Sequence, residues 1–117
     1  AKVSSDVALK PGMVLSNEPG YYKEGSYGIR CENLVVVRDA SIDSDDDRTM
    51  YEFEAITLAP FDLRLVEPAL MTEDEIAWLN RYHAEVRDKL SPLLDGDARE
   101  WLEQATTPIE PAGEKAA

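Results

Sequence analysis

Two runs of this chain mirror each other about Gly25. Met13-Val14-Leu15-Ser16-Asn17-Glu18 comes before it, and Gly28-Ile29-Arg30-Cys31-Glu32-Asn33-Leu34-Val35-Val36-Val37 comes after it. Each run is rich in the apolar and β-branched residues of a strand, and the residues between them are turn-formers. If the chain folds back at Gly25, Glu18 and Glu32 become cross-strand neighbours, because their positions average to 25. The same pairing sets Ser16 against Leu34 and Val14 against Val36 on one face. On the other face it sets Asn17 against Asn33, Leu15 against Val35 and Met13 against Val37. Apolar residues meet apolar residues far from the turn, and polar residues gather near it. A slip of one position would move every side chain to the wrong face, so the pattern selects this register. The stretch 19–28 is too long for a two-residue turn, and its three glycines suit an irregular loop.

Directly opposed Cβ atoms in an antiparallel pair lie about 4.5–5.5 Å apart. Two ionised carboxylates that close repel each other unless a cation or a shared proton lies between them. The ribbon is therefore a candidate half of a metal site. On spacing alone, solvent-facing glutamates are the commoner outcome.

Strand-like text comes first and helix-like text second. Residues 13–18, 28–38 and 51–59 carry the strand pattern, and the charged stretch 38–48 links the last two. From Thr72 the period changes: Ile76, Leu79, His83, Val86 and Leu90 recur at three and four, one stripe of a helix. Thr72 and Glu75 are spaced as a capping box, and Pro92 ends or kinks the helix. A second short helix follows, with Asp97 and Glu100 as another capping box and Trp101, Leu102 and Ala105 as its apolar face. The expected class is α+β, an antiparallel sheet followed by two helices, with a loose tail over 107–117.

Charge and composition narrow the partners. The net charge is −12 over 117 residues. Such a chain is repelled by nucleic acid and by anionic membranes, and its field attracts cations. No apolar run approaches the ~18–20 residues of a membrane span. The first residues lack the apolar core of a signal peptide. The single cysteine, Cys31, cannot form an internal disulfide, which suits a reducing compartment.

Several other groups have plainer readings. Asp43 to Asp47 with Glu54 mimic the spacing of a calcium loop, but Arg48 stands where that loop needs glycine, so the stretch is a solvated loop. His83 lies on the helix stripe and reads as a hydrogen-bonded core or interface residue. Cys31 alternates away from Glu32 and reads as a small packing group. Arg30 shares the face of Glu32 and either orients a carboxylate or a substrate end, or is an ordinary strand arginine. Tyr21, Tyr22 and Tyr27 either wall a pocket or pack the turn. Trp78 and Trp101 read as helix packing.

The wording of whole stretches adds a resemblance. Leu9-Lys10-Pro11-Gly12-Met13-Val14-Leu15-Ser16-Asn17-Glu18-Pro19-Gly20-Tyr21-Tyr22, followed by Gly28 to Val36, closely resembles the last part of the catalytic domain of Xaa-Pro aminopeptidases, members of the pita-bread metallopeptidases. Ala55 to Asp62 resembles that family's last core strand. Trp78-Leu79-Asn80-Arg81-Tyr82-His83 and Ser91-Pro92-Leu93-Leu94 resemble the C-terminal extension of its larger, cytosolic-type members. The resemblance implies a partial pita-bread fold: the end of the catalytic domain over 1–71, a helical extension over 72–106 and a flexible tail over 107–117. It also implies a dinuclear site made by two aspartates, a histidine and two glutamates. Glu18 would bind one metal and shuttle a proton, and Glu32 would bridge both metals. The aspartates and the histidine lie upstream in the family, so the chain is expected to be a C-terminal fragment, inactive by itself and holding no metal alone. The ions implied are manganese, with zinc or cobalt as alternatives. Tyr21, Tyr22 and Arg30, beside the site, are the candidate substrate-pocket residues. The implied substrate is a peptide with proline second, the implied location is the cytoplasm, and the implied assembly is a homodimer or larger. A fragment of a prolidase- or creatinase-like relative, or a non-enzymatic dimerisation module, are the competing readings.

Overall fold

A continuous antiparallel register runs through the first part of the molecule. The computed structural model describes residues 6–42 and 47–113. Strands β1 (Val14–Asn17), β4 (Asn33–Asp39) and β5 (Tyr51–Ala55) form one sheet in the order β1-β4-β5. Strands β2 (Gly20–Lys23) and β3 (Tyr27–Arg30) form a separate two-stranded ribbon. Val14 pairs with Val36, Leu15 with Val35, Ser16 with Leu34 and Asn17 with Asn33, which is the register the mirror pattern predicts. The central strand β4 has partners on both edges and is the most buried: Val37 is fully enclosed, with Val35, Val36 and Asn33 close behind. Beyond the end of β5, the Ile56 N–H donates to the Leu34 carbonyl, and the Leu34 N–H donates to Thr57 Oγ1 at 2.8 Å. A side chain thus takes over from the ladder, and the strand expected over 51–59 is shorter than its text suggests.

The stretch 19–28 is not an irregular loop. The register of β1 and β4 passes through it unbroken: Gly20 pairs with Arg30, Tyr21 with Ile29, Tyr22 with Gly28 and Lys23 with Tyr27. The Cys31 N–H donates to the Pro19 carbonyl at 3.0 Å, bridging the gap between the two sheets. Keeping that register leaves Glu24, Gly25 and Ser26 to make the turn. The turn closes with the Ser26 N–H on the Lys23 carbonyl and with Gly25 at φ +68°, a conformation glycine adopts without strain. The other two glycines have a different cause. The Tyr22 ring lies along the ribbon over both of them. A Cβ on Gly28 would stand 2.6 Å from Tyr22 Cδ1, and one on Gly20 would stand 2.8 Å from Tyr22 Oη.

The chain divides into two compact units, Ala1–Thr57 and Leu58–Ala117. The second opens with two 3₁₀ turns, Leu63–Leu65 and Pro68–Leu70, each capped by an acid, Asp62 and Glu67. Helix α1 (Glu73–Leu90) follows. Its capping box forms as the sequence predicts: the Glu75 N–H donates to Thr72 Oγ1 at 3.2 Å, and the Thr72 N–H donates to Glu75 Oε2 at 2.8 Å. Ile76, Leu79, Tyr82, His83 and Val86 are its buried residues. Tyr82 and His83 hold the backbone that follows β5. Tyr82 Oη donates to the Ala59 carbonyl at 2.9 Å, and the Phe61 N–H donates to His83 Nε2 at 3.0 Å. The Phe61 ring sits within 6.5 Å of the rings of Trp78, Tyr82 and His83. His83 is thus the core residue expected. Trp78 stacks on Tyr82 at 5.5 Å but stays half exposed.

Helix α2 (Gly96–Ala105) differs from expectation at its start. It is capped by Asp95 without a side-chain bond, so Asp97 lies inside the first turn and makes no capping box with Glu100. There its carboxylate meets the positive end of the helix dipole instead. Leu102 is the residue α2 buries, whereas Trp101 is 61% exposed and does not pack the helices. The segment after α2 is tied down at Ile109. Asn80 Nδ2 donates to the Ile109 carbonyl and Asn80 Oδ1 accepts from the Ile109 N–H, both at 2.9 Å. The remaining tail residues 114–117, like residues 43–46 of the calcium-like stretch, lie outside the described residues. Among the described residues, no helix is long and apolar enough to cross a membrane.

Candidate metal centre

Glu18 and Glu32 stand at the seam where the β1–β4 ladder gives way to the β2–β3 ribbon. The paired positions stop at Asn17–Asn33 and resume at Gly20–Arg30, so both glutamates fall between the two ladders, and one arginine reaches both. Arg30 Nη1 lies 3.3 Å from Glu18 Oε2, and Arg30 Nε lies 3.2 Å from Glu32 Oε2. The cation that two adjacent carboxylates require is here a guanidinium. Glu18 Oε1 accepts a further hydrogen bond from Ser16 Oγ at 3.3 Å. All three charged side chains are about half exposed, between 41% and 50%. Pairs this wet contribute about 0–1 kcal/mol each, so Arg30 orients the carboxylates more than it stabilises the fold.

Alternation decides which neighbours share this face. Tyr22 shares it, since its ring covers Gly20 and Gly28, the cross-strand partners of Arg30 and Tyr22. Tyr21 does not: it meets Tyr27 at 6.1 Å and is paired with Ile29, on the opposite face of the ribbon. Of the three predicted pocket residues, Arg30 and Tyr22 lie with the glutamates, and Tyr21 lies with the turn-packing aromatics. Cys31 alternates away from Glu32 as expected, but it is exposed, not packed. The position of the Tyr22 ring was missed in the sequence. Its signal was present in Gly20 and Gly28, which sit at the two places where a flat ring at Tyr22 leaves no room for a side chain.

Two carboxylates are hard oxygen donors, the chemistry that suits manganese and similar divalent ions. They fit such an ion but do not complete its coordination. Among the described residues, no group of three or more His, Cys, Asp or Glu side chains could hold a metal. His83 adds nothing to the set, since its Nε2 is committed to Phe61.

Comparison with known proteins gives the family. Residues 1–39 match metallopeptidase family M24, and residues 49–109 match the C-terminal region of peptidase M24. The probable Xaa-Pro aminopeptidase P of Coprinopsis cinerea is 47% identical over 108 residues, covering 90% of this chain and 17% of the relative. Aminopeptidase P1 of Arabidopsis thaliana is 41% identical over 105 residues, covering 89% and 16%. Among solved structures, X-prolyl aminopeptidase from Caenorhabditis elegans, described as a cytosolic enzyme with a di-nuclear active site, matches with a TM-score of 0.74 at 35% identity. That match covers 86% of this chain and 17% of the nematode enzyme. The chain therefore spans 16–17% of the length of these relatives. The strands and helices described above are the corresponding piece of a pita-bread, α+β fold. With two family matches that between them cover most of its length, this chain belongs to metallopeptidase family M24, in the group whose curated members are Xaa-Pro aminopeptidases.

Proposed function

We propose that this chain works as part of a dinuclear-metal Xaa-Pro aminopeptidase, removing the residue that precedes proline at the N-terminus of a peptide. The observation that carries this reading is the convergence of Glu18 and Glu32 on the single guanidinium of Arg30. In this reading Glu18 and Glu32 would be the carboxylates that hold the ions, Glu18 one of them and Glu32 both. The ions are manganese first, with zinc or cobalt as alternatives. Two such ions, when bound, polarise the peptide carbonyl and lower the pKa of water.

The chain's own residues prepare that chemistry. Arg30 takes Oε2 of each glutamate and keeps the two carboxylates on one side. Ser16 restrains Glu18 through Oε1, the oxygen that Arg30 does not touch. Glu18 accepts the proton of the attacking water and passes it to the proline nitrogen of the leaving peptide. Tyr22, held flat along the ribbon, offers an aromatic wall on the same face. Two carboxylates do not complete a dinuclear site, so we expect the chain alone to be inactive. The active unit is the longer polypeptide, as a cytoplasmic homodimer or larger assembly acting on peptides, not on nucleic acid or membranes.

The test is a substrate screen on the full-length protein. Release of the first residue from X-Pro-peptides of three or more residues supports the reading. Cleavage of X-Pro dipeptides alone would move the protein to the prolidase-like branch. A Glu32→Gln protein with unchanged activity would make the glutamates incidental and favour a dimerisation module.

A further inference from the structure

Helix α1 carries a titratable group that the proposed chemistry does not use. His83 is 1% exposed, and its Nε2 accepts the Phe61 N–H at 3.0 Å. An imidazole nitrogen that accepts bears no proton, so in the neutral ring the proton sits on Nδ1. Nδ1 is buried without a hydrogen-bond partner. The Phe61 ring stacks on the imidazole at 6.4 Å and 28°. Next to it, Tyr82 Oη takes both the N–H and the carbonyl of Ala59, at 3.4 and 2.9 Å. Two adjacent side chains of α1 thus hold three backbone groups, the N–H and carbonyl of Ala59 and the N–H of Phe61.

We propose that His83 is an acid-labile latch: protonation of its ring removes the acceptor for the Phe61 N–H and releases the backbone around Phe61 from α1. A protonated Nε2 is a donor facing a donor, and the two repel at hydrogen-bond distance. The grip of Tyr82 has no such weakness, because a hydroxyl donates and accepts across this range.

The charges around the ring favour the closed latch at neutral pH. On its own helix the group felt by His83 is Arg87, one turn on, whose Nη1 is held by the Thr106 carbonyl after α2. On the facing segment the acid is Asp62, and its carboxylate is taken by Arg64. The charged group that shifts the imidazole is Arg87. Burial first, and the Arg87 charge second, hold the imidazole below its ordinary value of 6.5. Proton uptake is then greater in the open form than in the closed one, so the latch weakens as pH falls below 6.5.

The test is amide hydrogen exchange on the full chain, read as protection factors between pH 7 and pH 4. Ring nitrogen shifts at neutral pH should report the Nδ1–H tautomer. Phe61 protection should fall about tenfold across the acid range, while the α1 interior at Val86 keeps its protection. In His83→Gln the side-chain carbonyl oxygen replaces Nε2 as acceptor and does not titrate, so the acid loss at Phe61 should vanish. The wild-type titration stands even if that variant fails to fold. Phe61 protection that is flat to pH 4, or an acid loss that His83→Gln leaves intact, would overturn the proposal.

Discussion

Single residues in this molecule are fixed by what stands next to them more than by their own preferences. Gly28 is a glycine because the Tyr22 ring occupies the space its Cβ would need. Gly28→Ala should therefore cost about 1–3 kcal/mol in denaturant unfolding. The same change in a Tyr22→Ala background should cost much less, because the ring that clashes is gone. Asp62 shows the same dependence in its charge. The Arg64 guanidinium beside it, through side-chain hydrogen bonds first and then the Arg64 N–H, holds its carboxyl down to about 2 from an ordinary 3.8. Its contribution is present above pH 3.8 and lost as pH falls towards 2, and an NMR titration should show that midpoint. Arg64→Ala should raise it towards the ordinary value, with the N–H of residue 64 still holding it lower. At the seam, Arg30→Gln should change stability by less than about 1 kcal/mol, since both of its ion pairs are half exposed. In the full-length protein it should weaken metal binding, because two carboxylates without a counter-charge splay apart. Calorimetric titration with manganese reads that directly.

Elements differ in how much local text announces them. Helix α1 was legible because its stripe and its cap are both local: Thr72 and Glu75 are three apart, and the buried residues recur at three and four. Thr72→Ala should lower stability by about 1 kcal/mol, measured by thermal or denaturant unfolding. The register of β1 against β4 was legible for a related reason, since apolar positions on both strands agree on one pairing. The ribbon β2–β3 was not legible, because Gly20, Gly25 and Gly28 look like loop residues until the Tyr22 ring is placed over two of them. The start of α2 was misplaced by two residues, because Asp97 and Glu100 have the spacing of a capping box although the helix is capped at Asp95. The anchoring of Ile109 was invisible because Asn80 lies 29 positions away, beyond any local pattern. At the candidate site, the two glutamates and the shared face of Arg30 followed from alternation, whereas the side that Tyr21 takes depended on a strand the sequence hid.

At the scale of the whole molecule, the chain corresponds to a small share of proteins several times its length. Its net charge of −12 supplies a field that draws cations toward whatever carboxylate site it helps to build. The two glutamates make sense as ligands if the rest of such a protein brings the partners they lack. The most direct measurement is the metal content of the full-length protein, by elemental analysis after loading with manganese, for wild type and for Glu18→Gln and Glu32→Gln. The account predicts two divalent ions per subunit in wild type, loss of one with Glu18→Gln and loss of both with Glu32→Gln. Full occupancy of both sites in Glu32→Gln would contradict it.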